Sequence, residues 1–283
     1  MKKLFLLSVA CVSLAAGSSS AFAYETLPNL TNLDFSSYTG SQPKDYFSNV
    51  DPTGWTGGTG LIFIAQNSPG HDGTVWPGAT YGVPTGAIVP VGGNYVEADG
   101  NPYYESGFNY SVSGLTVGKT YTLTFYQGAS QWQGFSGGTT NQWIVSLGTA
   151  GLYVASTSDP SVGNNNCGNT CGYYSTDASA SIVASPLMTV PSQGVVGWNY
   201  VSVNLTADAS TDLLSFLAWG DNGSTVNLPP MAFLAGVNSA SGLGSAPEPS
   251  TWVMVGIGFA GLGAVVSRRR RAQREAPAFA ANV

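Results

Sequence analysis

The chain has 283 residues, with fifteen acidic side chains, nine basic ones and a single histidine. Between Tyr24 and Ala246 the balance is steeper: thirteen carboxylates face only Lys44 and Lys119, a net charge of −11 with no arginine. A surface of that sign repels phosphate backbones, which excludes nucleic acid as a partner, and it suits solubility outside the cell and attraction for divalent cations.

The first segment, residues 1–23, opens on Lys2 and Lys3, continues through the apolar run Leu4–Ala16 and ends on the small-residue pattern Ala21-Phe22-Ala23. That anatomy predicts a secretory signal helix removed by signal peptidase, not a structural element. Lipidation at Cys11 is disfavoured, because Ser8-Val9-Ala10 lacks the usual leucine and the apolar run continues past the cysteine.

Residues 24–238 show little helical periodicity and many short alternating runs between glycine-rich turns, which predicts one all-β ectodomain, an antiparallel sandwich or jelly roll. The clearest strand is Lys119–Gln127: Tyr121, Leu123 and Phe125 fall on one face, and Thr120, Thr122, Thr124 and Tyr126 on the other. Gly114–Gly118 reads as the tight turn that feeds it. Further strands are predicted at Leu61–Ala65, Gly107–Val112, Gln142–Leu147, Leu152–Ala155, Trp198–Leu205, Leu213–Trp219 and Met231–Val237. Ser36–Gly60, Ser68–Gly100 and Ser156–Ser185 are predicted as long loops or edge excursions, the places where function tends to sit.

With Cys11 removed, Cys167 and Cys171 are the two cysteines of the mature domain, four residues apart. In an oxidising compartment such a pair most simply forms a local disulfide. A redox pair or half of a metal site are the alternatives, and the loop is so short that it stabilises less than the roughly 3 kcal/mol of a 15-residue closure.

Residues 239–246 read as a flexible tether. Pro247-Glu248-Pro249-Ser250 follows, then an apolar run over 251–266 and then Arg268, Arg269, Arg270 and Arg271. Sixteen residues of helix span about 24 Å, short of the roughly 30 Å hydrocarbon core. Trp252 at one interface and snorkelling arginines at the other complete the span. The arginines place 272–283 in the cytoplasm as a tail, and the ectodomain outside the inner membrane.

This order of tripeptide, apolar run and arginines resembles the PEP-CTERM sorting domain. The resemblance implies recognition at Pro247, Glu248 and Pro249 by an exosortase-like membrane protease, with Arg268–Arg271 as the stop-transfer signal. It also implies transient anchoring in the membrane, then release to the cell surface or an exopolysaccharide matrix. A second series, Asn32-Leu33-Asp34-Phe35, Gly54-Trp55, Gly114 through Phe125, Trp198-Asn199-Tyr200-Val201 and Leu214-Ser215-Phe216, is similar to the galactose-binding-like jelly rolls. That family includes many carbohydrate-binding modules. Its last strand often carries an aspartate where this chain reads Leu234-Ala235-Gly236-Val237, so a calcium site built on that residue is not implied.

No catalytic constellation is legible, and no cofactor is required. A serine–histidine–aspartate relay would have to use His71, in the turn-like Ser68-Pro69-Gly70-His71-Asp72-Gly73. Glu97, Asp99 and Glu105 form the one local acidic cluster. A solvated loop is its ordinary reading, calcium binding by oxygen ligands the next, and glycosidase-type acid pairing the third. Trp55, Trp76 and Trp132 lie in or near polar, glycine-rich segments and are the candidates for stacking on sugar rings, with a place in the core as the ordinary alternative for each. Trp143, Trp198 and Trp219 fall inside strand patterns and are assigned to the core. The expectation is a non-enzymatic glycan-binding or adhesive module. A purely structural acidic matrix protein that binds proteins or calcium is the alternative.

Overall fold

A computed structural model describes residues 25–38, 52–57, 60–66, 90, 92, 94–132, 134–159, 161, 171–220 and 229–238. In chain order its strands are β1 (Glu25–Thr26), β2 (Trp55–Gly57), β3 (Ile62–Gln66), β4 (Asn94–Asp99), β5 (Gly107–Ser113), β6 (Thr120–Gln131) and β7 (Thr139–Gly148). The series continues with β8 (Leu152–Ser156), β9 (Cys171–Ser175), β10 (Ser181–Ala184), β11 (Met188–Val190), β12 (Val195–Thr206), β13 (Thr211–Trp219) and β14 (Pro230–Ala235). A 3₁₀ turn, Pro102–Tyr104, follows β4. The predicted signal helix, the predicted membrane-spanning run 251–266 and the predicted tether 239–246 fall outside the described residues.

The alternation in β6 dictates its place. Its apolar phase, Tyr121, Leu123 and Phe125, faces the core, and its threonine phase faces outward. One edge of β6 pairs with β12 from Thr120 to Ser130. The other edge pairs with β14 over Tyr126–Gln131 and with β1 at Tyr121–Thr122, so β1 and β14 run end to end. β4 and then β3 complete this first sheet beyond β14. The β1–β6 pairing is parallel and the others in the sheet are antiparallel.

The second sheet is antiparallel throughout and runs β2, β5, β13, β7, with β10 and β11 end to end on the outer edge of β7. Pro186 cannot donate a ladder bond, and it falls between those two short strands. At this joint the Ser185 hydroxyl stands where a backbone carbonyl would: it accepts the Trp143 N–H at 2.8 Å and donates to Gln127 Oε1 at 2.6 Å, tying the two sheets together.

The sheets close over one core, in which Phe35, Trp55, Phe108, Phe125, Trp143 and Phe216 meet at ring distances of 5.3–6.3 Å. Outside the second sheet, the β8–β9 hairpin covers a smaller apolar layer of Ile144, Leu217 and Trp219 with Val154 and Cys171. The all-β reading is thus met. Three of the predicted loops contain strands, however: β2 lies in the first, β4 in the second, and β9 and β10 in the third.

Candidate functional site

Over β3, β4, β14 and the end of β6 that pairs with β14, the first sheet is apolar on both faces. Inward, Ile62, Ile64, Val96, Ala98, Ala232 and Leu234 join the main core. The opposite phase of the same strands places Phe63, Ala65, Tyr95, Tyr126, Met231, Phe233 and Ala235 in a second cluster on the outer face, with Trp132 and Trp198 packed against it. A solvated sheet face would alternate apolar-in and polar-out, and this one does not.

The position of Trp198 follows from two local features. A bulge between Val196 and Asn199 shifts the β12 register, and bulges re-aim side chains. Opposite it, Gly128 lets the bulged strand and Phe233 come close: a Cβ there would press on the Val196 carbonyl at 3.2 Å and on Phe233 Cδ2 at 3.3 Å, and would meet Trp198 Cε3 in ordinary contact at 3.6 Å. The ring therefore sits edge-on to Tyr95 at 5.5 Å and tilted against Phe233 at 6.1 Å. Its Nε1 is buried with no acceptor among the described residues. Tyr200, the next outward residue of β12, is 37 % exposed and stands edge-on to Tyr126 at 5.2 Å. Trp132 is half-buried, edge-on to Phe63 at 5.6 Å. Beside these rings, Tyr95 donates its hydroxyl to Glu97 Oε1 at 3.0 Å.

The sequence candidates separate. Trp55 is 2 % exposed and lies in the main core against Phe35, Phe108, Tyr110 and Phe216, with Nε1 donating to the Asn32 carbonyl. It has no open face for a sugar, so its place among the stacking candidates is corrected. Trp76 and His71 lie outside the described residues, and Trp132 is retained on the outer face. Trp143 is a core residue as expected, Trp219 belongs to the layer under the hairpin, and Trp198 moves from the core to the outer face. Phase carried the missed signal: Val201, Val203 and Leu205 point inward, so Trp198 and Tyr200, on the other phase, point out.

The acidic cluster is not a solvated loop. Glu97 and Asp99 are fully buried in β4. Asp99 Oδ1 accepts the Asn101 N–H at 2.8 Å, while Glu105 Oε1 accepts the Val154 N–H at 3.0 Å and holds β8 against the 3₁₀ turn. Partial burial pushes the Glu105 carboxyl up, and the Val154 N–H partly opposes that shift. These carboxylates serve separate local bonds, and among the described residues no three ligand-type side chains are arranged for a metal ion.

A different carboxylate group links two turns. Asp177 Oδ2 accepts the N–H and hydroxyl of Thr149, at 2.6 and 2.8 Å, and Asp212 accepts the N–H groups of Asp208 and Ala209, both at 3.2 Å. Asp208 sits beside both acids. Partial burial and those neighbours push it up to about 7, while the bond from Asp208 and the Thr149 donors hold Asp177 well below the usual carboxylate range. Cys171 opens β9 with its side chain in the layer under the hairpin. Cys167 lies outside the described residues, as do Pro247–Pro249 and Arg268–Arg271.

Residues 245–271 match the PEP-CTERM protein-sorting motif. No curated protein matches the chain. Among solved structures, the chain is similar at 11 % identity and a TM-score of 0.32 to the enzymatically active domain of tailspike protein 4 from bacteriophage CBA120. That match covers 71 % of this chain but 21 % of the tailspike, so the chain spans about a fifth of that protein. It is also similar to the CBM22-2 xylan-binding domain of Paenibacillus barcinonensis Xyn10C, at 9 % identity and a TM-score of 0.35, over 69 % of this chain and 97 % of that one. A family 16 carbohydrate-binding module matches at 17 % identity and a TM-score of 0.25, over 58 % and 84 %. Likenesses this distant establish no shared ligand or activity.

Proposed function

We propose that the chain is an exported protein that an exosortase-like membrane protease sorts at Pro247-Glu248-Pro249. Its β-sandwich, of the galactose-binding-like type, acts as a non-enzymatic glycan-binding module at the cell surface or in an exopolysaccharide matrix. The sorting half rests on the match at residues 245–271. The observation that carries the glycan half is the aromatic outer face of the first sheet, where Trp198, Tyr200 and Trp132 stand half-buried to exposed among buried rings and polar groups. Flat aromatic faces with hydrogen-bonding neighbours suit sugar rings. A Cys167–Cys171 disulfide, formed after export, belongs to the same proposal and would shape the loop ahead of β9.

Two measurements test it. Mass spectrometry of the chain recovered from producing cells should show a C terminus near the tripeptide, and an uncleaved 283-residue C terminus would refute the sorting half. Pull-down on a panel of polysaccharides should retain the purified protein, and Tyr200→Ala and Trp132→Ala should each weaken retention by about tenfold or more, the scale of an aromatic anchor. Retention on no polysaccharide would remove the glycan half and leave the acidic matrix reading.

A further inference from the structure

The outer face of β6 and β12 carries a second pattern beside the rings. Each cross-strand pair places two side chains on the same side of the sheet. Thr120 stands opposite Thr206 with hydroxyls 2.9 Å apart, and Thr122 donates to Asn204 Oδ1 at 3.0 Å. Thr124 stands opposite Ser202, and Tyr126 opposite Tyr200. Beyond the bulge, the Trp198 ring stands against Gly128. On β12 the outward Tyr200, Ser202 and Asn204 are exposed. The result is a straight row of uncharged hydroxyl and amide rungs leading onto an aromatic platform. At about 3.4 Å per strand residue, the row from Thr206 to Tyr200 is about 20 Å long, the length of several sugar rings.

Chemistry narrows the occupant. The Thr122 hydroxyl occupies Asn204 Oδ1 and leaves Asn204 Nδ2 as a donor for a ligand. The two paired threonines keep lone pairs as acceptors. No rung is charged. Among the described residues the one cation beside the row, Lys119, is paired with Glu25 at 2.7 Å, and the ectodomain sequence carries −11 overall. A polyanion finds no unpaired cation on this row and meets a domain of net negative charge.

We infer that the ligand of this face is a neutral polysaccharide, bound along its length on the β6–β12 row instead of by a chain end. This inference rests on the glycan-binding reading above and adds the class of chain and its direction. Several rings contact successive rungs, so affinity grows with chain length until the row is filled.

The test is a titration of the full chain with manno-, xylo- and cello-oligosaccharides from disaccharide to octasaccharide, with alginate as the polyanion. In at least one neutral series, affinity should climb by about tenfold or more between disaccharide and hexasaccharide and then level, as added contacts accumulate. Alginate should not bind. The double variant Thr122→Val/Asn204→Leu keeps residues suited to a strand surface, and its fold is checked by circular dichroism. It should lower hexasaccharide affinity several-fold and leave the disaccharide, held at the rings, unchanged. Equal affinity for disaccharide and hexasaccharide, preference for alginate, or an unaltered double variant would each overturn the extended-row inference while leaving glycan binding intact. Failure of every sugar to bind would overturn both.

Discussion

Ser185→Ala removes one oxygen from the joint that fastens the two sheets. That oxygen is nearly buried, accepts the Trp143 N–H and donates to Gln127 Oε1. The substitution strands a buried donor and a buried acceptor at once, and each orphaned group costs about 1–3 kcal/mol. The cavity left by one hydroxyl is too small to hold a compensating water comfortably, so the expected loss is about 2–4 kcal/mol. For a domain of this size that corresponds to roughly 5–15 °C in Tm. Urea denaturation of residues 24–238, followed by tryptophan fluorescence, measures it. Adding Gln127→Met removes the stranded acceptor, so the double variant should be less destabilised than the two single losses combined, by at least about 0.5 kcal/mol. A loss for Ser185→Ala below about 0.5 kcal/mol, or additive single losses, would refute the view that this hydroxyl stands in for a backbone carbonyl.

Two further outcomes follow from the same structure. Asp208 is pushed up to about 7 from an ordinary 3.8, so its protonated form contributes stability that is complete below 3.8 and lost as the pH rises through about 7. Asp177, held low, contributes in the opposite sense, with stability present above its ordinary value of 3.8 and lost in strong acid. Thermal melts between about pH 5 and pH 8.5 should therefore show wild-type stability falling near neutrality, and Asp208→Asn should flatten that fall. An unchanged profile in Asp208→Asn would show that the shared proton does not hold the two turns together. Trp55→Ala should destabilise the domain by about 3–5 kcal/mol, as a large core ring does, and a fully stable variant with weakened sugar binding would contradict its place in the core.

Two kinds of strand were legible in the sequence, those with one wet face and those that are short unbroken apolar runs. Thr120–Gln127 was readable because threonines alternate with Tyr121, Leu123 and Phe125, and the strand at 107–112 follows the same logic, whereas those at 213–219 and 231–235 stand out as short apolar runs buried on both faces. β4 was not, because Asn-Tyr-Val-Glu-Ala-Asp is buried on both faces and its carboxylates mimic a solvated loop. β9 and β10 are short strands in a Ser- and Asn-rich stretch; β9 pairs with the strand just before it and β10 reaches past both to β7, and local composition carries no sign of either pairing. The site shows the same division. Trp132 was legible as an aromatic in a polar context, whereas Trp55 had an equally polar context and a buried ring. Trp198 was hidden because membership of a strand reads as membership of the core, and Tyr200, on the same phase, was not singled out. Phase within the strand, not the strand itself, separates the two.

The path of the last strand bears on how the domain would carry load. β14 lies between β6 and β4, with six register pairs to one and four to the other, and just beyond its end Asn238 Nδ2 donates to the Leu27 carbonyl. A pull transmitted through the chain beyond residue 238 enters at an interior strand and runs along its axis. Ladder bonds on both sides then resist together in shear, where an edge strand would peel one bond at a time. Under the proposed tethering, that placement favours a domain that stays folded under force.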